Sequence, residues 1–134
     1  MKNQFSIIVV LITGALVMLA CNGNITPTAT KYGNGSLTDP KGSIAYQFEL
    51  LKAGDAETLR TCFTDRVRNN VTAEAVEKGK SEAAKYTLDD LVASVEMGEY
   101  DGKKTAKIKM KNGRTLTTLI ETNGNWLADT IWFR

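Results

Sequence analysis

Three turn dipeptides recur at an even spacing in the C-terminal half of this chain of 134 residues. They are Asp101-Gly102, Asn112-Gly113 and Asn123-Gly124, each flanked by alternating or β-branched residues. Asp-Gly and Asn-Gly pairs favour the primed two-residue turns of β-hairpins, because both central residues of such a turn need a positive φ. The spacing therefore predicts an antiparallel meander of four strands, at 92–100, 103–111, 114–122 and 125–133.

If each turn holds two residues, the register and both faces of the predicted sheet are fixed. The face expected to meet the helices carries Met97, Met110, Thr115, Thr117, Glu121, Trp126, Thr130 and Trp132. Hydroxyls among methionines and aromatic rings can line a small-molecule pocket, where a few polar groups orient the ligand. Threonine is also an ordinary strand former. These residues therefore form either a candidate pocket or part of the core.

The opposite face of the predicted sheet is charged on its first strands and apolar on its last two. Lysines dominate its first strands, where Lys107 is expected to face Glu96. Its last two strands carry the apolar residues Leu116, Ile120, Leu127, Ile131 and Phe133. An exposed patch of this size is large for a monomer, so it is a candidate interface for a homodimer or a partner protein. A covering helix, or a bulge that shifts the register, is the alternative.

Helical periodicity precedes the strands. The first helix is expected to end at Gly54, and Asp55 to cap the second. Their apolar positions are Ile44, Phe48, Leu51, Leu59, Cys62, Phe63 and Val67. A third helix begins at Thr72 and is weakened by Gly79. Cys62 is interpreted as a buried small hydrophobe rather than a reactive thiol. The sequence predicts an α+β fold, with N-terminal helices packed on a four-stranded antiparallel sheet.

Helices followed by a meander that ends in Gly124-Asn125-Trp126-Leu127-Ala128-Asp129 resemble the nuclear-transport-factor-2-like (cystatin-like) superfamily. The resemblance covers about residues 41–134. It implies a strongly bent, cone-shaped sheet wrapped around a long helix, with an interior that is filled or holds a ligand. Several enzymes of the superfamily use Asp, Tyr or Arg in the cone, whereas many members have no assigned activity.

The N-terminus carries an uncharged run from Phe5 to Ala20, preceded by Lys2. This run is short for a membrane span, which needs about 20 residues, and it suits the apolar region of a signal peptide. With Cys21 directly after Ala20, it resembles a bacterial lipoprotein signal. The resemblance implies cleavage before Cys21, a thioether-linked diacylglycerol on its sulfur and usually a third acyl chain such as palmitate. An ordinary secretory signal and an uncleaved N-terminal anchor are the alternatives.

The expected organisation has three parts: a signal peptide at 1–20, the lipidated Cys21 with a flexible tether at 21–40, and one α+β domain at 41–134. Acyl chains anchor a protein firmly, since each buried methylene contributes about 0.8 kcal/mol. The expected location is the bacterial cell envelope, as a membrane-anchored lipoprotein at the outer membrane, its periplasmic face or the cell surface. A net charge of only +2 argues against nucleic acid as a partner.

Few residues of the chain suggest catalysis. It has no histidine, which is the commonest general base and metal ligand, and no nucleophile triad, phosphate-binding glycine loop or paired-cysteine motif. We therefore expect neither a metal nor a cofactor. Glu121 is expected opposite Trp126, where an aromatic surface could raise its pKa. Its place at the rim of the sheet, where solvent reaches it, favours an ordinary carboxylate.

Three functions follow from these observations. The favoured one is a membrane-anchored, non-catalytic domain that binds a small apolar ligand or another envelope protein. The second is a cone-pocket enzyme that uses Glu121 or another carboxylate with a tyrosine such as Tyr86 or Tyr100. The third is a purely structural interaction module with a filled cone.

Overall fold

The computed structural model describes residues 36–133, so the expected signal peptide, Cys21 and most of the expected tether lie outside the described residues. Within this range the helices come first: α1 (Pro40–Ala53), α2 (Ala56–Arg60), α3 (Asp65–Arg68), α4 (Ala73–Ala83) and α5 (Leu88–Leu91). The strands follow: β1 (Val92–Tyr100), β2 (Lys103–Met110), β3 (Thr115–Thr122) and β4 (Asn125–Ala128). They pair antiparallel in the order β1-β2-β3-β4. The predicted α+β fold with a four-stranded meander is confirmed.

The first helix has the predicted end and a well-formed start. Asp39 caps α1 by accepting a hydrogen bond from the Gly42 amide at 2.8 Å, and Pro40 occupies the first helical position, where no amide is needed. Gly54 ends the helix in the left-handed conformation, with φ of 73°.

The second predicted helix is interrupted. Asp55 caps α2 as expected, by accepting from the Thr58 amide at 3.1 Å. The expectation of one helical stripe through Val67 is wrong, because α2 ends at Arg60 and Phe63 forms a parallel bridge with Ala128 of β4. Buried backbone groups at the edge of β4 need partners, and the extended chain around Phe63 supplies them.

The third helix starts where the sequence predicts, with Thr72 accepting from the Ala75 amide at 3.1 Å. Gly79 has a packing role in α4. A Cβ atom at this position would lie 2.8 Å from Phe133 Cδ2 and 2.9 Å from Leu51 Cδ1. The absence of a side chain therefore lets α1 and the C-terminal segment approach α4.

The first and last predicted turns have the expected geometry. Asp101 and Asn123 each have φ of 53°, and the glycines that follow them are also left-handed, as primed turns require. The middle turn differs, because only Gly113 has a positive φ and the Met110 amide bonds the Arg114 carbonyl at 2.8 Å. This loop is thus one residue longer than expected.

The longer loop is accompanied by a bulge, where the register shifts between Ile108 and Lys109. Interior pairs agree with the predicted register: Val95 with Ile108, Met97 with Ala106, Ile108 with Thr117, Ala106 with Leu119 and Leu119 with Ala128. The pairs at the strand ends do not, because Thr115 pairs with Lys109 and Met110 pairs with Val92. A second irregularity, between Val92 and Ser94, displaces Ala93.

The last strand is shorter than predicted, since β4 ends at Ala128 rather than at residue 133. The chain then turns inward. The Trp132 ring stacks on Phe48 at a centroid distance of 6.4 Å, and the Phe133 ring meets Phe63 edge-on at 6.0 Å. Packing these two rings against Phe48 and Phe63 stabilises the fold, since an aromatic side chain can remove about 150–250 Å² from water.

The core lies between α1 and the helix-facing side of β2, β3 and β4. Its fully buried side chains include Ile44, Phe48, Leu50, Leu59, Phe63, Ile108 and Leu119. No helix between residues 36 and 133 has the length and the apolar composition needed to cross a bilayer.

Candidate functional site

Two of the three threonines of the candidate pocket bond each other, and one of the two is buried while the other is exposed. Thr117 is 2% exposed, and its hydroxyl lies 2.8 Å from the hydroxyl of Thr130. Thr115 lies at the exposed end of β3, where its hydroxyl accepts from Lys109 Nζ at 3.3 Å. Neither Thr115, Thr117 nor Thr130 lines the two grooves described below.

The two tryptophans of the candidate pocket are structural. Trp126 is buried, and its backbone carbonyl accepts from the Ser43 hydroxyl at 2.7 Å. The Trp132 indole donates to the side-chain oxygen of Gln47 at 2.8 Å. Gln47 in turn donates to Ser43 at 3.1 Å. These buried polar residues of α1 were missed by the sequence analysis, because only the apolar positions of a helix carry the periodic signal.

The remaining candidate pocket residues lie apart from one another. Glu121 is partly exposed beside Lys104, with 3.9 Å between Oε2 and Nζ. Met110 is half-buried at the end of β2, whereas the Met97 side chain is 59% exposed on β1. The expected pocket residues are thus divided between the core and the surface.

The five residues of the candidate interface are divided as well. Phe133 is buried in the core, which corrects its expected place on the outer face. Leu116 lies near Trp132 and Phe48 on the helix-facing side, because the bulge shifts this part of β3. Ile131 packs beside the start of α4. Only Ile120 and Leu127 pair on the outer face as expected.

A groove lies over the two outer residues Ile120 and Leu127 and has a volume of about 650 Å³. Arg66 borders it and binds the Asp129 carboxylate, with 2.9 Å between Nη2 and Oδ2, while the Thr64 hydroxyl donates to Oδ1 at 2.7 Å. Burial alone would raise the pKa of Asp129, but the hydrogen bonds from Arg66 and Thr64 outweigh it and hold the pKa below its usual value. The carboxylate is therefore ionised and fully engaged in structure.

A second groove, of about 400 Å³, lies on the helix-facing side of β1. Its walls are the start of α1 and the start of α5, and its floor includes Val92, Val95 and Met97. The helices cover little of β1, so most of its residues are exposed on both faces. This groove combines an apolar floor with an adjacent unpaired strand.

The two edges of the sheet contrast sharply. The edge of β4 is bonded along its length: the amides of Trp126 and Ala128 donate to the carbonyls of Leu37 and Cys62 at 2.7 and 2.8 Å, and the Ala128 carbonyl accepts from Thr64. Within residues 36–133, β1 pairs only with β2. The nine residues of β1 thus present a free edge.

The residues of the expected enzyme site do not converge. Tyr100 is 76% exposed beside the outer groove, and Tyr86 lies after α4, near Leu91 and Trp132. Glu121 borders neither of these places. Burial raises the pKa of the Cys62 thiol to about 12, so this thiol is protonated and unreactive near neutral pH. No cluster of three or more Asp, Glu or Cys side chains suited to a metal ion occurs in the described part of the chain.

The fold and its surfaces define an α+β protein with one closed and one free sheet edge. No protein-family model, curated protein or solved structure matches the chain.

Proposed function

We propose that this protein is a membrane-anchored, non-catalytic lipoprotein of the bacterial cell envelope whose domain binds a protein partner along β1. The partner contributes an extended segment that adds to the free edge of β1 and covers the adjoining groove. Strand addition obtains affinity from backbone hydrogen bonds and specificity from alternate side chains that enter neighbouring pockets.

The free edge of β1 is the observation that carries this proposal. A long unpaired edge promotes unwanted association unless it is covered, and the fold already satisfies the edge of β4 with backbone bonds. Met97 adds a largely exposed apolar side chain next to that edge. A protein segment suits both features together, because it supplies amides for the edge and apolar side chains for the groove.

A small apolar ligand in a hollow cone is less well supported by the same geometry. Phe48 and the buried Thr117 occupy the space between α1 and the inner sheet, and Trp132 stacks on Phe48. An enzyme is less well supported because Glu121, Tyr86 and Tyr100 lie apart. The cystatin-like cone remains part of the proposal, and helices that precede a four-stranded meander support it.

The anchor is tested separately by fractionating cells that produce the full chain with Cys21→Ser. We expect the wild-type protein in the membrane fraction and the variant in the soluble fraction. Equal membrane association of both chains would refute lipidation of Cys21.

Partner binding is tested in intact cells with a photo-reactive phenylalanine analogue at position 97 of the full chain. Tyr86 serves as the control position, since its side chain is also exposed but lies near Leu91 and Trp132 and does not line the groove on β1. We expect one discrete adduct from position 97, in which the cross-linked peptide maps to a single extended segment, and no such adduct from position 86. Only diffuse products, equal at both positions, would contradict the proposal.

A further inference from the structure

The direction of the backbone groups on β1 determines what can pair with it. In a two-residue hairpin the residues that flank the turn exchange both hydrogen bonds, and such pairs alternate with pairs that exchange none. Tyr100 and Lys103 flank the first turn. The backbone groups of Glu99, Met97 and Val95 consequently point away from β2, toward the free edge.

The side chains of β1 are complementary to those of an identical strand in one antiparallel register. With Val95 on the two-fold axis, Val95 faces its own copy, and Met97 lies opposite the bulged residue Ala93 of the second copy. On the other face, Glu96 lies opposite Ser94 of the second copy. No charged side chain then opposes a like charge or an apolar side chain within the segment from Ala93 to Met97.

Registers centred on Glu96 or Met97 bring unfavourable side-chain pairs together. An axis at Glu96 places two carboxylates opposite each other, which destabilises an antiparallel pair. An axis at Met97 places Glu99 of one copy against Val95 of the other, on the face that carries the apolar groove. The register centred on Val95 avoids both of these contacts.

The lysines of β2 add charge complementarity to this register. Lys107 pairs with Glu96 within one copy, and Lys109 pairs with Ser94. In the register centred on Val95, Glu96 therefore lies between Lys107 of its own copy and the strand pair that contains Lys109 of the second copy. Each Glu96 carboxylate thus lies beside Lys107 of its own copy and opposite the uncharged Ser94 of the second copy.

The closed edge of β4 limits such an assembly to two copies. Backbone bonds from Leu37, Cys62 and Thr64 occupy that edge. Pairing through β1 then consumes the remaining free edge of the described sheet, so the two-fold assembly closes and does not extend into a filament. An identical partner thus removes the exposed edge from both molecules at once.

We propose that the partner taken by β1 is a second copy of this chain, joined antiparallel with Val95 opposite Val95, so that the two sheets form one continuous sheet. This inference rests on the proposed function, because it identifies the partner of the same edge.

The test introduces one cysteine at a time at Ser94, Val95, Glu96 or Met97 of the full chain. The variants are treated in intact cells with a short thiol-to-thiol cross-linker. Burial keeps the native Cys62 thiol unreactive, and the wild-type chain measures any background from Cys21. We expect the largest dimer yield at Val95 and the smallest at Met97, whose two copies are offset by about 14 Å along the strands. Joint production of the Ser94→Cys and Glu96→Cys chains should give more dimer than either chain alone.

A charge reversal provides a second measurement. Glu96→Lys, added to Val95→Cys, places lysines side by side and should lower the dimer yield about fivefold or more. Glu77→Lys on the exposed face of α4 makes the same charge change away from β1 and should leave the yield unchanged. Equal yields with Glu96→Lys and Glu77→Lys would contradict the predicted contact.

The outcomes separate this inference from the proposed function. A maximum at Ser94, Glu96 or Met97, or no dimer at any of the four positions, overturns the inference. If the photo-adduct at position 97 then contains a different protein, the proposed function stands and the identical partner is excluded. Absence of both the cross-linked dimer and the discrete adduct overturns both.

Discussion

The indole Nε1–H of Trp132 donates a hydrogen bond to the side-chain oxygen of Gln47 at 2.8 Å, and this contact connects the C-terminal segment to the middle of α1. Gln47 is fully buried, and its amide donates to the Ser43 hydroxyl, which bonds the Trp126 carbonyl. A chain of buried hydrogen bonds thus holds the last strand, the C-terminal segment and α1 in one arrangement.

Replacing Gln47 with Met tests this connection, because the substitution keeps most of the volume but removes the acceptor for Trp132. A buried donor without a partner costs about 1–3 kcal/mol. We expect the urea midpoint of unfolding to fall correspondingly. Glu49→Met, at an exposed position of the same helix, should change stability by less than about 0.5 kcal/mol. Equal losses in the two variants would show that the hydrogen bond does not stabilise the fold.

Gly79→Ala tests the close approach of α4 to Phe133 and Leu51. Alanine favours a helix over glycine by up to about 1 kcal/mol. Its methyl group would nevertheless lie within 3 Å of both side chains, and such overpacking costs about 1–3 kcal/mol. We expect a net loss of stability in thermal unfolding, whereas Ser81→Ala on the exposed side of α4 should be neutral or slightly stabilising. A more stable Gly79→Ala protein would mean that the contact relaxes without cost.

Asp129 should make the stability of the protein depend on pH in the acid range. Its pKa in the folded state is lowered, so the stabilisation is present above the unfolded pKa of about 3.9 and is lost as the pH falls through the folded pKa. Asp129→Asn should cost about 1 kcal/mol at pH 7, because the ion pair with Arg66 is partly exposed. The variant should also show a weaker loss of stability below pH 4. Urea unfolding between pH 2 and 7 measures both effects, and parallel curves for the two proteins would exclude this role for Asp129.

Much of the fold was predictable because local chemistry determined it. The turns at Asp101-Gly102 and Asn123-Gly124 need left-handed residues, and the sequence provides them where the strands reverse. The cap at Thr72 and the end of α1 at Gly54 likewise depend on residues close by in the chain. These features require no knowledge of distant contacts.

The errors arose where distant contacts decide the structure. Nothing near Phe63 indicates that this residue leaves the helical pattern to pair with Ala128. The bulge beside Ile108 moves Leu116 to the helix-facing side, and the inward turn after Ala128 buries Phe133. The candidate pocket and the candidate interface both depended on a regular register through these positions. A meander places β1 at one edge of the sheet, but the sequence does not show that Leu37, Cys62 and Thr64 bond only the opposite edge.

The last prediction concerns Cys62 and asks whether its thiol has any role other than packing. Its side chain is fully buried, with Sγ 3.8 Å from the Thr58 carbonyl, and burial raises its pKa to about 12. At pH 8 the thiol is therefore almost entirely protonated, and thiol reagents should label Cys62 only as fast as the protein opens. Labelling that is measured at increasing urea concentrations should accelerate in parallel with unfolding.

Substitutions at Cys62 distinguish an apolar packing role from a polar one. Ala removes the sulfur and leaves a small cavity, whereas Ser places a hydroxyl in an apolar site, at a cost of about 1–3 kcal/mol. We expect the order of stability to be Cys, then Ala, then Ser, as measured by urea unfolding of the purified proteins. If the Ser variant were as stable as the wild-type protein, the hydrogen bond to Thr58 rather than apolar burial would explain how Cys62 stabilises the fold. Because that bond is long for a hydroxyl, the expected order follows from the 3.8 Å separation itself.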